Sequence, residues 1–224
     1  MLVQRFERPN APDISFAQTA FFRRSPSRPE AFSALSPTPL SLRDLIQENP
    51  TCTMSNVAVT RAAFQRSGGF ESDMVHSEDL AWLIRCAGLG FRIEGSTDFL
   101  TFYRCNESGL SADIDAMHCG WRRAIRFALA ADPSISEREL AAAEATHLRY
   151  LARRALRTGA PRTSAARYVA RAISVSVNGY FNQPRRAFAI LIAVNRGVKR
   201  GQFPVEYRSI LLVQDGPLAC VSYS

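Results

Sequence analysis

Glu78 and Asp79 stand side by side at the head of a segment whose apolar residues recur with helical spacing, and a glycine pair, Gly68 and Gly69, precedes them. Adjacent carboxylates support two readings. Acids in the first turn of a helix are favoured by the partial positive charge at its N-terminus. A carboxylate in a cleft, with a second one beside it raising its proton affinity, can instead act as a general base toward a hydroxyl. On residue pattern alone the first reading outweighs the second. Gly68 and Gly69 either close a helix or let the backbone pass near a bound molecule, a role that needs no side chain. Trp82 and Arg85 fall on one side of the helix that Asp79 opens, where packing outweighs substrate contact. Tyr103 and Arg104 offer a phenol and a guanidinium fork; the fork suits phosphate and, nearly as well, a strand-end salt bridge.

The elements that must hold these residues follow from the N-terminus. A short helical start leads into "DISFAQTAFF", which reads as a strand, and four prolines between Ser25 and Pro39 mark a loop. "LSLRDLIQEN" carries a helix period and stops before Pro50. "TCTMSNVAVT" suggests a short strand, and "RAAFQRSGGF" a helix closed by Gly68 or Gly69. "SEDLAWLIRCAGLG" reads as a helix with Ser77 as N-cap and an end near Gly88 and Gly90. "FRIEGS" and "FLTFYRC" look like two short strands around a turn. This alternation argues for α/β layers. Beyond about residue 113 the pattern is helical only: "WRRAIRFALAAD", then a helix with Ser136 and Glu139 in capping-box spacing that ends at Gly159, then "TSAARYVARAISVSV" and a last helix opened by Pro184. The expected division is an α/β part at 1–112, a helical extension at 113–201 and an unassigned tail at 202–224.

Charge is unevenly spread along the chain. Residues 121–224 carry 17 basic against 6 acidic residues, and the first 120 carry 11 against 14. A basic rear half suits anionic lipid, phosphate-bearing substrates or nucleic acid, although solvated surface arginines are commoner than any of these. Nucleic acid ranks last, because no known motif or aromatic platform accompanies the arginines. The segment 184–201, apolar in its middle and basic at both ends, can lie on an anionic membrane surface; packing on its own domain is the commoner fate. Cys52, Cys86, Cys105, Cys119 and Cys220 form no C-x-x-C pair and no zinc spacing, which points to reduced thiols. With no signal-peptide pattern and no run of about 20 apolar residues, the expectation is a cytoplasmic chain, peripheral to the inner membrane if it touches lipid.

Three stretches, "SNVAVTRAAFQRSGGF", "SEDLAWLIRCAGLGFRI" and "FLTFYRCNESGLS", resemble in order and spacing the C-terminal half of the catalytic domain of family 2 glycosyltransferases, which have the GT-A fold. The resemblance implies an α/β fold class: a partial GT-A, Rossmann-like domain followed by an all-helical C-terminal extension. It further implies inverting transfer of a sugar from a nucleotide sugar to an acceptor hydroxyl. Asp79 matches the base position, with Glu78 beside it. Gly68, Gly69 and Trp82 would border the acceptor, and Tyr103 and Arg104 would approach the donor diphosphate. The family also uses Mg²⁺ or Mn²⁺ on an Asp-x-Asp strand, which has no counterpart in this chain. "DID" at Asp113 to Asp115 spells the motif at a helix entrance and is set aside, and Asn106 stands where many members place a histidine. The implied protein is therefore an acceptor side without its donor side, a truncated form whose cut sheet would expose an apolar edge and favour self-association. The competing expectation is a non-catalytic basic helical module that docks on anionic membrane or a protein partner.

Overall fold

The computed structural model of the protein describes residues 2–34, 38–104 and 113–195. Asn106, the Leu-Ser end of the third stretch, the basic end of the last helix and the 202–224 tail lie outside the described residues. Among the described residues a mixed sheet of four strands forms one layer and helices pack against it, so the chain is α/β overall.

The sheet is built around β1 (Ile14–Phe22), a near-continuous buried run of the kind a central strand requires. β4 (Ile93–Arg104) lies parallel to it along its full length. The short strands β3 (Val57–Val59) and β2 (Ala31–Phe32) pair antiparallel with its first and last residues, so they share the opposite edge. The two strands expected around a turn at residues 91–105 are thus one strand. The residues between the two stretches form an irregularity in the β1–β4 register instead of a turn: Gly95 still pairs with Phe16, the backbone N–H of Asp98 bonds Ser96 Oγ at 3.2 Å, and the pairing resumes at Phe99. Among the described residues β4 pairs only with β1, and its second half presents Phe99, Leu100 and Phe102 to solvent.

The crossover between β1 and β4 carries α1 (Leu42–Gln47), α2 (Arg61–Ser67) and α3 (Glu78–Gly88). α3 buries Leu80 to Ile84 and Cys86 against the sheet. Its outer side is covered by α4 (Ile114–Ala131), whose Trp121, Ala124, Ile125 and Ala128 join Ile14, Leu45, Trp82, Leu83 and Ile93 in one core. The core therefore runs across the boundary expected at residue 112. α5 (Glu137–Thr158) begins with the capping box read from Ser136 and Glu139 and ends at Gly159 in the left-handed region. It gives Ala143 to the first core and Leu148, Leu151 and Ala152 to a second, which it shares with α6 (Arg162–Val175), α7 (Val177–Tyr180) and α8 (Pro184–Asn195). α8 turns Arg186, Ala187, Ala189, Ile190 and Ala193 inward, leaving Arg185 and Phe188 outward. No helix among the described residues is long and apolar enough to cross a membrane.

Between α4 and α5, the Trp121 ring stacks on His147 with centroids 4.8 Å apart, and His147 in turn stacks on His118 at 5.6 Å. Burial holds His147 well below the usual histidine range, with the neighbouring His118 adding to the effect, and burial lowers His118 too. A depressed native value means that the unfolded chain takes protons first, so stability is full above the unfolded value near 6.5 and is lost as pH falls below it. Each histidine should cost up to about 2 kcal/mol by pH 5. Thermal melts from pH 7.5 to 5 check this, and His147→Phe should flatten the slope because a phenyl ring keeps the stack and binds no proton.

Candidate active site

A cleft of about 390 Å³ lies between the end of α1 with the loop after it (47–55), the approach to α3 (75–80), and one face of α5, with Phe21 and Tyr103 bordering it from the sheet. Asp79 lies in this cleft in the first turn of α3. One carboxylate oxygen accepts the backbone N–H of Leu80 at 2.7 Å, and the other accepts Asn49 Nδ2 at 2.9 Å. Asn49 is oriented from behind, because its Oδ1 accepts the N–H and the hydroxyl of Thr51 at 3.1 and 2.9 Å. Burial pushes the proton affinity of Asp79 above the ordinary carboxylate value; the Leu80 N–H works against this, and the adjacent Glu78 charge adds to it. Among the described residues neither Glu78 nor Asp79 forms an ion pair.

Of the three non-glycine residues in the left-handed region among the described residues, two, Cys52 (φ 63) and Ser77 (φ 59), line the cleft, one on each side. Such backbone costs about 1–3 kcal/mol per residue and persists only where the surroundings hold it. Ser77 occupies the expected N-cap position, and its carbonyl accepts the Ala81 N–H at 2.9 Å, but its side chain caps nothing. The side-chain cap needs extended backbone, which a left-handed residue does not supply. The turn is braced from outside: a Cβ on Gly120 of α4 would collide with the His76 carbonyl, so only glycine lets α4 approach the backbone this closely. Ser77→Gly should relieve about 1 kcal/mol of left-handed strain and return about 0.5 kcal/mol through the freer unfolded chain. Urea unfolding should show the small net gain. If the strained turn aims Asp79, activity should fall while stability rises.

The structure brings together Asp79, Glu78 and Tyr103, all of which line the cleft. Gly68, Gly69, Trp82 and Arg104 do not line it. Gly68 is the left-handed C-cap of α2, and the Gly69 carbonyl accepts Arg85. Trp82, expected beside the acceptor, is fully buried in the core; its indole packs on Phe64 and Phe70 and donates to Ser67 Oγ at 2.8 Å. A side chain with no exposed surface cannot meet a substrate. Arg104 lies over the Phe22 ring at 5.4 Å.

Sequence reasoning missed Asn49, Cys52 and the whole α5 wall: Thr146, His147, Tyr150, Arg153, Arg154 and Arg157. The wall was legible as a polar stripe at helical spacing, opposite the buried Leu148, Leu151, Ala152 and Ala155. Cys52 offers no nucleophile, since burial pushes its thiol up to about 12 and keeps it protonated. Among the described residues no set of side chains fits a divalent ion. Asp113 caps α4 through the Ala116 N–H, Asp115 is engaged by Tyr168 and Arg167, and no three metal-ligating side chains converge among the described residues.

Fold and site together define a mixed four-stranded sheet under helices, with a half-buried carboxylate, in no ion pair among the described residues, in a cleft that arginines of α5 also line. Comparison of the chain with family models, with curated proteins and with solved structures finds no match.

Proposed function

We propose that the chain supplies the acceptor side of an inverting glycosyl transfer from a nucleotide sugar to a hydroxyl, with Asp79 as the general base. One observation carries the reading: Asp79 is desolvated in a cleft, held by Asn49 and the Leu80 N–H, and neutralised by no cation among the described residues. A hydroxyl is a poor nucleophile until its proton is being removed, and a carboxylate with raised proton affinity removes it better than an ordinary one. In the step, the acceptor oxygen bonds to the anomeric carbon as its proton passes to Asp79. The bond from that carbon to the diphosphate breaks, and its electron pair leaves with the nucleoside diphosphate.

Glu78 keeps negative charge beside the base, and Asn49 fixes the direction of the receiving oxygen. Among the described residues the carboxylates assemble no site for Mg²⁺ or Mn²⁺. A panel of nucleotide sugars incubated with the full chain and a cell-extract acceptor pool tests the proposal by nucleoside diphosphate release. Release that Asp79→Asn does not diminish would remove Asp79 from the chemistry.

A further inference from the structure

The helices around the second core come from a stretch with charge of one sign. From residue 145 to residue 205 the chain carries twelve basic residues and no acidic one. Arg167, Arg171 and Arg186 pair with Asp115, Glu144 and Glu48, acids that all precede the stretch. A field of one sign selects partners of the other.

Packing in this unit uses only one side of α8. Arg186, Ala187, Ala189, Ile190 and Ala193 turn into the second core, whereas Phe188 is 55% exposed. Its ring meets Phe181 with centroids 5.3 Å apart. Val177, 56% exposed, lies one turn before Phe181, whose backbone N–H bonds the Val177 carbonyl at 3.0 Å. Val177, Phe181 and Phe188 thus form a continuous apolar ridge outside the core, of the kind that marks an interaction surface. Arg185, one turn before Phe188, is exposed and forms no ion pair among the described residues. Beyond Asn195 the sequence continues with Arg196, Lys199 and Arg200. An apolar middle with basic residues on both flanks is the pattern of a helix that lies in a lipid interface.

We propose that the ridge of Val177, Phe181 and Phe188, bordered by Arg185, docks on an anionic bilayer surface. The apolar side chains enter the boundary between headgroups and acyl chains, and the guanidinium meets lipid phosphate. A second copy of the chain fits this surface poorly, because a ridge set on a stretch without acids would meet its own charge. Nucleic acid suits it less than lipid, since Val177 offers no face on which a base can stack. The docking surface is separate from the cleft of Asp79 and does not depend on the transfer reading.

Sedimentation of the full chain with vesicles of phosphatidylcholine alone, and of phosphatidylcholine with phosphatidylglycerol, tests the proposal. Wild type should pellet with the anionic vesicles and much less with the neutral ones, and added salt should release it as screening shortens the reach of the lipid charge. Phe188→Ser should weaken binding about tenfold, and Arg185→Gln about fivefold. Both side chains are exposed, so the variants should keep the fold, which circular dichroism verifies; Val177→Ser repeats the test from α7 if Phe188→Ser does not fold. Asp79→Asn should pellet as wild type does, so docking and transfer stand or fall separately. The proposal is overturned if wild type binds neither vesicle, or if the ridge variants bind as tightly as wild type. It is overturned equally if a DNA duplex of arbitrary sequence, and not the vesicles, binds with the same dependence on Arg185. A dimer in sedimentation velocity without lipid, lost in Phe188→Ser, would assign the ridge to a second copy instead.

Discussion

Asp79→Asn is expected to remove the proposed transfer almost completely and to leave the melting temperature unchanged or higher. Loss of a general base costs about 10²–10⁴-fold in rate. The stability half of the result follows from the sign of the titration. The native proton affinity of Asp79 is raised, mainly by burial, so its contribution to stability is present below the unfolded value near 3.9 and is lost as pH rises through the native value. At neutral pH the ionised side chain is a standing cost. Asn removes that charge and can keep one of the two hydrogen bonds, from Leu80 or from Asn49; the lost one costs about 1 kcal/mol. The advantage of the variant should therefore shrink as the buffer is taken toward pH 4. Nucleoside diphosphate release and paired melts at pH 7 and 4 check both halves. A clear drop in melting temperature with full turnover would mean that Asp79 only secures the start of α3.

Trp82→Ala should unfold the protein or leave it without fixed packing. The side chain has no exposed surface, its ring lies 5.3 Å from Phe70 and 6.1 Å from Phe64, and its N–H is satisfied by Ser67. Truncating a buried Trp costs about 3–5 kcal/mol, against a total stability of about 5–15 kcal/mol for an ordinary domain. Ser67 Oγ would also lose its donor. Trp82→Phe keeps the aromatic cluster and loses one hydrogen bond, so it should be destabilised by only about 1–2 kcal/mol with turnover intact. Urea unfolding of both variants measures this. A Trp82→Phe protein that is well folded but inactive would return Trp82 to the substrate.

These two residues show what was legible and what was not. Helical periodicity, Pro50 and the glycines at 68 and 159 located α1, α2, α3 and α5, because each of those signals acts within a few residues. The turn expected between "FRIEGS" and "FLTFYRC" failed because a bulge uses the same residue types, and only the partner strand decides between them. Trp82 and Asp79 lie one turn apart on α3, yet one faces the core and the other the cleft. Which side a helix buries depends on where α4 and the sheet dock, and no spacing within the helix contains that. Asn49 and the α5 arginines come to the cleft of Asp79 from distant parts of the chain for the same reason. The basic rear half was visible as a charge imbalance, but its focus on one helix face became visible only with the cleft.

The approach of α4 to the loop before α3 has a consequence for descent. Glycine inside a long helix is a handicap of about 1 kcal/mol relative to alanine, so drift should replace Gly120 wherever nothing forbids it. Here any side chain would drive the His76 backbone outward and carry Ser77 and Asp79 with it. Chains that inherited this cleft should keep a helical glycine at this point together with the Glu-Asp pair, long after the intervening residues have diverged. That pairing would mark a lineage when overall identity no longer does.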